Sequence, residues 1–306
     1  MKSGIVSAEK LFKSYGDQVA VDGLSFGINR GETFGLLGPN GAGKTTTISM
    51  LVGLLKPDSG EVTIRRDQNG NDVGSPLLPE FRRMVGIAPQ QLSLYDDLTA
   101  KENLNFFGQL YGLSGQQLDK RVDWALEFAK LTDRKNDRVG TYSGGMKRRI
   151  NIAVALVHEP EIILLDEPTV GVDPQSRNHI FDCIEQLQSK GITVLYTTHY
   201  MEEAQRLCDR VAIMDHGKLL ALDTVMGLVE KHGGRSVVSG ELGQRPEQIS
   251  FPGSVDDDLK FRFESNTPLD EVASLSSQGV QFQTLSVTKP DLESVFLTLT
   301  GRSLRD

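Results

Sequence analysis

Residues 38–46, Gly-Pro-Asn-Gly-Ala-Gly-Lys-Thr-Thr, fill every fixed position of the glycine-rich pattern G-x-x-x-x-G-K-[ST]. Its glycines let successive backbone N–H groups point inward at a phosphate. Lys44 would reach the β- and γ-phosphates of a nucleotide, and the Thr45 hydroxyl would bind Mg²⁺. An apolar strand at 32–37 and a helix from Thr45 supply the context that this chemistry requires. The predicted phosphate ligands are Gly38, Pro39, Asn40, Gly41, Ala42, Gly43, Lys44, Thr45 and Thr46.

A second group that could do chemistry is the acid pair after the aliphatic run at residues 162–165. Nucleotide hydrolysis needs neutralised charge, an aligned water and a base. Asp166 suits an indirect Mg²⁺ ligand, and Glu167 suits the general base that polarises the water. Adjacent acids at a strand end are often only solvated loop charges, but the phosphate loop in the same chain favours the catalytic interpretation.

The run Ser143-Gly144-Gly145 begins a helix that is predicted to end near His158. Ser143 could simply cap this helix through its hydroxyl. Two glycines in the first turn, however, weaken a helix by about 1 kcal/mol each relative to alanine. They are useful where a phosphate must approach the helix N-terminus closely. Both interpretations stay open: a cap alone, or a cap that also contacts phosphate.

Strands alternate with helices along most of the chain, which predicts an α/β fold with a largely parallel core sheet. Residues 19–26 are interpreted as a strand pair, and Tyr15 is placed in the loop before them. Thr99 and Glu102 form a capping box, and residues 91–159 are predicted to be a helical subdomain inserted into the core.

The character of the chain changes at about residue 233. Residues 259–263 alternate apolar with charged side chains, as in a half-exposed strand, and residues 290–300 predict a closing helix. The sequence therefore predicts a first domain at 1–232 and a small α+β domain at 233–306, which agrees with the two domains that 306 residues suggest.

Composition narrows the class of protein. Hydrophobic content of 38% with 24% charged residues is ordinary for a globular chain, and a net charge of −8 argues against a nucleic-acid partner. No apolar run approaches the about 18 residues of a membrane span, so any work at a membrane needs a partner. Cys183 and Cys208 form no Cys-x-x-Cys pair and are expected to be buried thiols.

Several separate stretches resemble, in order, the seven motifs of ABC-transporter nucleotide-binding proteins, across about residues 5 to 225. They are Tyr15, residues 38–46, Gln90, residues 143–146, residues 162–168, Asp173 and His199. The phrases Tyr-Ser-Gly-Gly-Met-Lys-Arg-Arg and Tyr-Thr-Thr-His-Tyr-Met-Glu-Glu-Ala, with the ending at 290–301, resemble the ABC-2 branch that includes daunorubicin-resistance-type ATPases. Tyr142 and Met146 depart from the usual Leu-Ser-Gly-Gly-Gln signature, and Val-Gly-Val-Asp replaces Ser-Ala-Leu-Asp, but the phosphate-contacting groups and Asp173 remain.

The resemblance implies ATP and Mg²⁺ as cofactors and a role for each remaining motif residue. Tyr15 would stack on adenine, and Gln90 would offer its amide oxygen to Mg²⁺ or to the water. His199 would hydrogen-bond the γ-phosphate, while Asp173 would join the nucleotide contacts. The catalytic set is therefore Glu167, His199 and Gln90, the metal set is Thr45, Gln90 and Asp166, and the nucleotide set adds Tyr15, Ser143, Gly144, Gly145 and Asp173 to the phosphate loop.

The resemblance also implies an architecture and partners. The fold would be that of a P-loop NTPase, a RecA-like core with an antiparallel β subdomain and a helical insert, followed by a C-terminal domain that regulates or pairs subunits. Two copies would form an ATP-dependent head-to-tail homodimer, in which the signature of one covers the γ-phosphate of the other. A separately encoded integral-membrane ABC-2 permease would hold the pair at the cytoplasmic face of the cell membrane, where it would power efflux of a drug-like or amphiphilic substrate.

Two alternatives remain open. A soluble ABC-class ATPase in translation or DNA repair is one, although such proteins usually carry two cassettes, a coiled coil or a zinc insert. A GTPase is the other, because Thr288-Lys-Pro-Asp291 superficially matches a guanine-reading [NT]-K-x-D motif. That stretch lies far beyond the core and more plausibly caps the last helix.

Overall fold

The structure is a computed structural model that describes residues 4–66, 72–245 and 251–301. The chain divides into two compact units, Met1–Val225 and Met226–Asp306. The sequence assigned residues up to 232 to the first unit, whereas the structure groups the helix Val225–His232, apart from its first residue, with the second.

The elements of the first unit follow one another as the alternation predicts. Its strands are β1 Val6–Tyr15, β2 Gln18–Ile28, β3 Thr33–Leu37, β4 Ser59–Arg65, β5 Val73–Gly74, β6 Val85–Ala88, β7 Ile162–Asp166, β8 Thr193–Thr198, β9 Arg210–Asp215 and β10 Lys218–Thr224. Its helices are α1 Lys44–Leu51, α2 Pro79–Arg82, α3 Ala100–Leu110, α4 Gly115–Phe128, α5 Gly144–Leu156, α6 Pro174–Ser189 and α7 Met201–Leu207, with 3₁₀ turns at Thr132–Arg134 and Val139–Thr141.

The core sheet has the order β10-β9-β3-β8-β7-β6 within the described part of the chain. Its strands from β9 to β6 run parallel, and β10 joins β9 antiparallel. The pairs Leu37↔Thr198 and Asp166↔Thr197 bring the carboxyl ends of β3, β7 and β8 to one edge. The loops that follow these strands therefore meet where ligands bind in open α/β sheets.

A separate antiparallel sheet, β2-β1-β4-β5, forms the β subdomain. Residues 19–26 are not a strand pair: they lie within the single strand β2, which pairs with β1 through several register shifts. Gly23, with φ of 69°, lies at a bulge within β2. A bulge breaks the two-residue alternation of side chains along a strand, which explains why this segment was interpreted as two strands. Tyr15 is likewise the last residue of β1, paired with Gln18 across a tight turn, and does not lie in a loop.

Helices α3, α4 and α5 pack around a separate apolar cluster that includes Leu104, Leu126 and Ile150. The predicted capping box opens α3: the Glu102 N–H donates to Thr99 Oγ1 at 3.1 Å, and the Thr99 N–H donates to Glu102 Oε2 at 2.8 Å. This helical layer lies between β6 and β7 in the chain, so α5 leads directly from the helices back to the core sheet.

The second unit contains its own antiparallel sheet and helices. Its elements are α8 Val225–His232, β11 Ser236–Leu242, β12 Ser254–Val255, β13 Lys260–Ser265, α9 Pro268–Ser277, β14 Phe282–Thr288 and α10 Leu292–Thr300. The sheet order is β12-β13-β11-β14, and Phe261 and Phe263 of β13 point to the buried side, as the alternation predicts. Asp291 caps α10 by accepting from the Ser294 N–H at 2.9 Å, which supports the capping interpretation over guanine recognition.

Candidate active site

A cleft of about 330 Å³ lies at the sheet edge where β3, β7 and β8 end. Residues from four separate stretches line it, and all but two of these residues belong to the predicted set. They are Tyr15, Gln18, Ala20, Pro39, Asn40, Gly41, Gly43, Lys44, Thr45, Thr46, Gln90 and Glu167. The phosphate loop, the end of β1, Gln90 and Glu167 therefore share one cavity.

The phosphate loop is shaped by glycine where no other residue fits. Gly43 has φ of 96°, and a Cβ there would lie 2.2 Å from the Ala20 carbonyl oxygen of β2. A Cβ on Gly38 would lie 2.3 Å from the Met214 oxygen of β9. The loop is thus packed against both sheets on one side, while its other side lines the cleft.

Lys44 is the buried cation of the cleft, 5% exposed. Its Nζ donates to the carbonyl oxygens of Gly38 at 2.7 Å and Pro39 at 3.1 Å, and lies 3.7 Å from Glu167 Oε1. Burial lowers the pKa of Lys44, and the charges of Glu167 and Asp166 oppose that shift. The ammonium is therefore held beside the phosphate loop by two carbonyl oxygens and one carboxylate.

Glu167 is the centre of the acid pair. It is buried, and its backbone has φ of 44°, in the left-handed region that is costly for a residue with a Cβ. Its Oε2 accepts from Gln90 Nε2 at 3.1 Å, and its Oε1 lies 3.2 Å from His199 Nδ1. The other two residues predicted to be catalytic, Gln90 and His199, thus both contact the Glu167 carboxylate.

Asp166 is oriented by a neighbouring strand. Thr197 of β8 donates its hydroxyl to Asp166 Oδ1 at 2.7 Å, and the same hydroxyl accepts from the Glu167 N–H at 2.9 Å. Burial raises the pKa of Asp166, while the Thr197 hydrogen bond opposes the shift. Sequence reasoning did not single out Thr197, although its place before His199 in a buried strand was the available signal.

Ser143, Gly144, Gly145 and Asp173 are not among the residues that line this cleft. They form a second group, in which two helix N-termini lie side by side. Ser143 caps α5 by accepting from the Met146 N–H at 3.3 Å, and Asp173 caps α6 by accepting from the Ser176 N–H at 2.9 Å. A Cβ on Gly145 would lie 2.0 Å from the Ser176 hydroxyl oxygen, so Gly145 is required by packing between the helices.

Gly144 differs from Gly145, because nothing lies within 4 Å of the place where its Cβ would be. Packing therefore does not explain why this position is glycine. The open space lies at the N-terminus of α5, whose free N–H groups favour an anion.

The comparisons with known proteins decide the family. Residues 21–170 match the family model described as ABC transporter. The linearmycin resistance ATP-binding protein LnrL of Bacillus subtilis (strain 168) is 43% identical, over 99% of this chain and 100% of the relative. The chain belongs to the ABC transporter ATP-binding family. Another relative of this ABC ATPase is the Nod factor export ATP-binding protein I of Rhizobium sp. (strain N33), 39% identical over 95% of both chains.

Solved structures agree with this family and with the predicted P-loop fold. An ATP-binding subunit of an ABC transporter matches with a TM-score of 0.66 and 30% identity, over 75% of this chain and 93% of that one. The dimeric post-hydrolysis cassette MJ0796 bound to ADP and Pi matches with a TM-score of 0.63 and 30% identity, over 72% and 98%. The chain is therefore an ATP-binding and ATP-hydrolysing subunit of an ABC exporter, and nothing supports the translation or DNA-repair alternative.

Two polar residues of α5 that sequence reasoning missed tie the signature helix of this ABC ATPase to Gln90. Arg148, 7% exposed, donates through Nη1 to the carbonyl oxygens of Gln90 at 2.8 Å and Pro89 at 3.1 Å. Asn151 donates to the Pro89 oxygen at 3.3 Å and accepts from the Ser93 N–H at 3.2 Å. The sequence carried no local signal for these contacts, because Pro89, Gln90 and Ser93 lie about 60 residues away from Arg148 and Asn151.

The donor set at the cleft suits Mg²⁺. Among the described residues, no group of three or more His, Cys, Asp or Glu side chains could enclose a metal ion. Mg²⁺ prefers oxygen ligands and usually binds through one or two carboxylates together with substrate phosphates. Asp166 and the Thr45 hydroxyl beside the phosphate loop fit that pattern.

In the described ranges of the chain, no helix is both long and apolar enough to cross a membrane.

Proposed function

We propose that this ABC ATPase is the motor subunit of an ABC-2 type exporter. Two copies pair head to tail around ATP and drive a separate integral-membrane permease from the cytoplasmic face of the cell membrane. The relatives named for linearmycin resistance and Nod factor export support efflux of a drug-like or amphiphilic molecule.

The observation that carries the head-to-tail arrangement is the separation of two groups within one chain. The cleft contains the phosphate loop, Gln90 and Glu167, whereas Ser143, Gly144 and Asp173 lie outside it. A second copy, rotated by a two-fold axis, would bring its own second group over the cleft of the first. The related cassette MJ0796 is dimeric, which supports the pairing of two copies.

Within each composite site, the chain's own residues divide the work. Backbone N–H groups of the phosphate loop and Lys44 would hold the β- and γ-phosphates. Glu167 would accept the proton of the attacking water. Gln90 and His199, which contact the Glu167 carboxylate, would orient that carboxylate. Thr45, Gln90 and Asp166 would hold Mg²⁺, which neutralises charge on the phosphates when bound.

Tyr15 would complete the nucleotide site from the β subdomain. Its ring is 54% exposed at the mouth of the cleft, which leaves a face free to stack on adenine. The neighbouring Lys13 ammonium lies 5.6 Å from the ring centroid.

Complementation tests the composite site. Ser143→Arg should block hydrolysis without weakening ATP binding to the monomer, and Lys44→Ala should weaken binding itself. Heterodimers of the two variants contain one intact composite site, so mixing them should restore activity to about half of the sites in a heterodimer. Heterodimers that form yet show no rescue would contradict the head-to-tail model. Each variant mixed with itself is the matched control.

The permease would meet the segment that follows Gln90. Leu92, Tyr95 and Phe106 are exposed apolar side chains of this region, and the Tyr95 and Phe106 rings contact edge to face at 5.0 Å. Replacing Phe106 by Asp should reduce permease-stimulated hydrolysis and leave basal hydrolysis intact. Leu269→Asp, an exposed leucine of the second unit, is the control for surface charge alone. Unchanged stimulation by the separately encoded permease would remove the surface from the proposal.

The second unit is proposed to set subunit pairing or to regulate coupling to the permease. The two export and resistance relatives cover 95% and 99% of this chain, and therefore extend into this unit. The solved cassettes cover only 72% and 75%, close to the share of the first unit, 225 of 306 residues or about 74%. The share of this chain that matches the solved cassettes is therefore about the size of the first unit, whereas the export and resistance relatives match the second unit as well.

A further inference from the structure

A buried carboxylate outside the cleft joins two loops that the proposed function places at ATP. Glu203 of α7 is 3% exposed, and its Oε2 accepts three hydroxyl hydrogen bonds. They come from Tyr196 at 2.8 Å, Thr169 at 2.9 Å and Thr198 at 2.9 Å. Such a charge is costly to bury unless it is paired and hydrogen-bonded. The free-energy cost of burying the Glu203 charge indicates a role that an apolar residue could not fill.

The three donors come from two segments, because Tyr196 and Thr198 both lie on β8 and Thr169 lies in a loop. Thr198 is the last residue of β8 and directly precedes His199, and its hydroxyl also accepts from the Tyr200 N–H at 2.9 Å. Thr169 lies in residues 168–173, which we call the Asp173 loop. Residues 199–200 are called the His199 loop. One carboxylate oxygen therefore bonds directly to the Asp173 loop through Thr169, and it reaches the His199 loop through the Thr198 hydroxyl.

A cation extends the network to the helix after the Asp173 loop. Arg177, in the first turns of α6, places Nε 3.8 Å from Glu203 Oε1, and its guanidinium lies 5.5 Å from the Tyr200 ring centroid. The Asp173 carbonyl accepts from the Arg177 N–H at 2.9 Å. Glu203 Oε1 thus faces α6 while Oε2 accepts the three hydroxyls, and the contact between Arg177 and Tyr200 closes a ring through α6.

The tyrosine of the network is a permanent donor. Tyr196 is fully buried, and burial followed by the charge of Glu203 raises its pKa well above the ordinary value. Its hydroxyl keeps its proton at physiological pH and anchors Glu203 to the core strand β8. The network therefore has two donors on the core strand β8, Tyr196 and Thr198, and one donor in the Asp173 loop, Thr169.

We propose that Glu203 is a positioning residue for ATP hydrolysis, holding the His199 loop and the Asp173 loop in one fixed relation. It touches neither ATP nor the water. The inference rests on the proposed function, in which His199 serves the ATP of its own subunit and Asp173 the composite site with its partner. Glu203 would thereby make the two loops move together when the dimer closes.

Steady-state hydrolysis by the full-length chain tests this role, with ATP affinity measured separately on the monomer. Glu203→Gln keeps the shape but removes the charge that three hydroxyls share. We expect kcat to fall by about 10- to 100-fold, because small misplacements of catalytic groups cost this much, with ATP affinity within about twofold. Glu185→Gln is the matched control, because it removes an exposed carboxylate that pairs with Arg206 between the same two helices.

Hydroxyl-specific variants keep the test decisive even if Glu203→Gln folds poorly. Thr169→Val and Thr198→Val delete the hydroxyl and keep the shape, whereas Thr169→Ser and Thr198→Ser keep the hydroxyl. We expect kcat to follow the hydroxyl in both pairs. We also expect the double Val variant to lose less than the product of the single losses, since either change cuts the same link.

Three results would overturn the proposal: Glu203→Gln with kcat within about twofold of wild type, serine variants as slow as valine variants, or multiplicative losses in the double variant. The outcome is separable from that of the proposed function. Failed rescue between Ser143→Arg and Lys44→Ala with an intact hydroxyl dependence would reject the composite site and leave Glu203 as a positioning residue within one chain.

Discussion

Replacing Glu167 by Gln removes a negative charge and a proton acceptor with almost no change of shape. The carboxylate lies 3.7 Å from Lys44 Nζ, 3.2 Å from His199 Nδ1 and 3.1 Å from Gln90 Nε2. If Glu167 is the general base, its loss should slow hydrolysis by about 10²- to 10⁴-fold. That range corresponds to about 3–5 kcal/mol in the activation barrier.

If Glu167 had a purely ionic role, its replacement would change ATP affinity instead of kcat. Unit charges about 4 Å apart near a protein surface interact by about 4 kcal/mol. If Glu167 only held Lys44, its removal would free the ammonium for phosphate and remove a charge that repels it. ATP would then bind more tightly, while kcat would change little. The general-base role instead lowers kcat and leaves ATP binding equal or tighter, so the two roles differ in which constant moves.

The assay measures single-turnover hydrolysis and ATP affinity on the same preparations, with gel filtration to detect an ATP-bound dimer. Lys44→Ala is the opposite control, since it should weaken ATP binding itself. Glu161→Gln is the matched control, because this half-exposed carboxylate precedes the other end of β7 and pairs with Arg30. Near wild-type turnover in Glu167→Gln would refute the general-base assignment, and so would a loss of affinity as large as the loss of rate.

Three further predictions concern residues away from the carboxylate. Arg148→Met should lower kcat by about tenfold and cost about 1.5–3 kcal/mol in urea unfolding, because the carbonyl oxygens of Gln90 and Pro89 lose a buried charged donor. Lys147→Met, which removes a half-buried cation that pairs with the exposed Asp96, should change both much less. Burial lowers the pKa of His158 to about 4 from its ordinary 6.5, so the unfolded chain binds more protons between these values. The contribution of His158 to the free energy of unfolding, roughly 3 kcal/mol, is complete above pH 6.5 and is lost as pH falls to 4. His158→Phe, which can keep the ring stack on Tyr111, should flatten this dependence of the unfolding free energy on pH in urea titrations. An unchanged dependence on pH would contradict the burial argument. Removing residues 226–306 should leave ATP affinity intact and change dimer formation or permease stimulation; collapsed affinity in a folded first unit would place a nucleotide ligand in the second.

The parts of the site that could be predicted are those whose chemistry is contiguous in sequence. The phosphate loop and the acid pair each carry their strand and their ligands in one short stretch, and the parallel order of β3, β7 and β8 then brings them together. The arrangement of the core was predictable for the same reason: buried parallel strands are short apolar runs separated by helices.

The parts that could not be predicted depend on polar side chains that meet across the fold. Thr197 lies 31 residues from Asp166, and Thr169 lies 34 residues from Glu203, so no local pattern connects either pair. The strand β10 was also missed, because its alternate side chains are only partly buried and give a weak period. Its start was still marked by His216 and Gly217, whose positive φ values of 47° and 75° make the turn from β9.

Replacing Gly144 distinguishes two interpretations of residues 143–145: a helix cap alone, or a cap that also contacts phosphate. A Cβ there would meet nothing within 4 Å, so Gly144→Ala should fold normally and, by helix propensity, gain up to about 1 kcal/mol. If Ser143 and its neighbours only cap α5, this variant is harmless. If a partner's γ-phosphate must approach the α5 N-terminus, the added methyl occupies that space and hydrolysis should fall by about tenfold or more, with monomer ATP affinity unchanged. Gly145→Ala is no substitute, because its methyl would collide with Ser176 and disturb packing whatever the function. A Gly144→Ala protein that is more stable and fully active would show that the open space at this helix end serves no ligand.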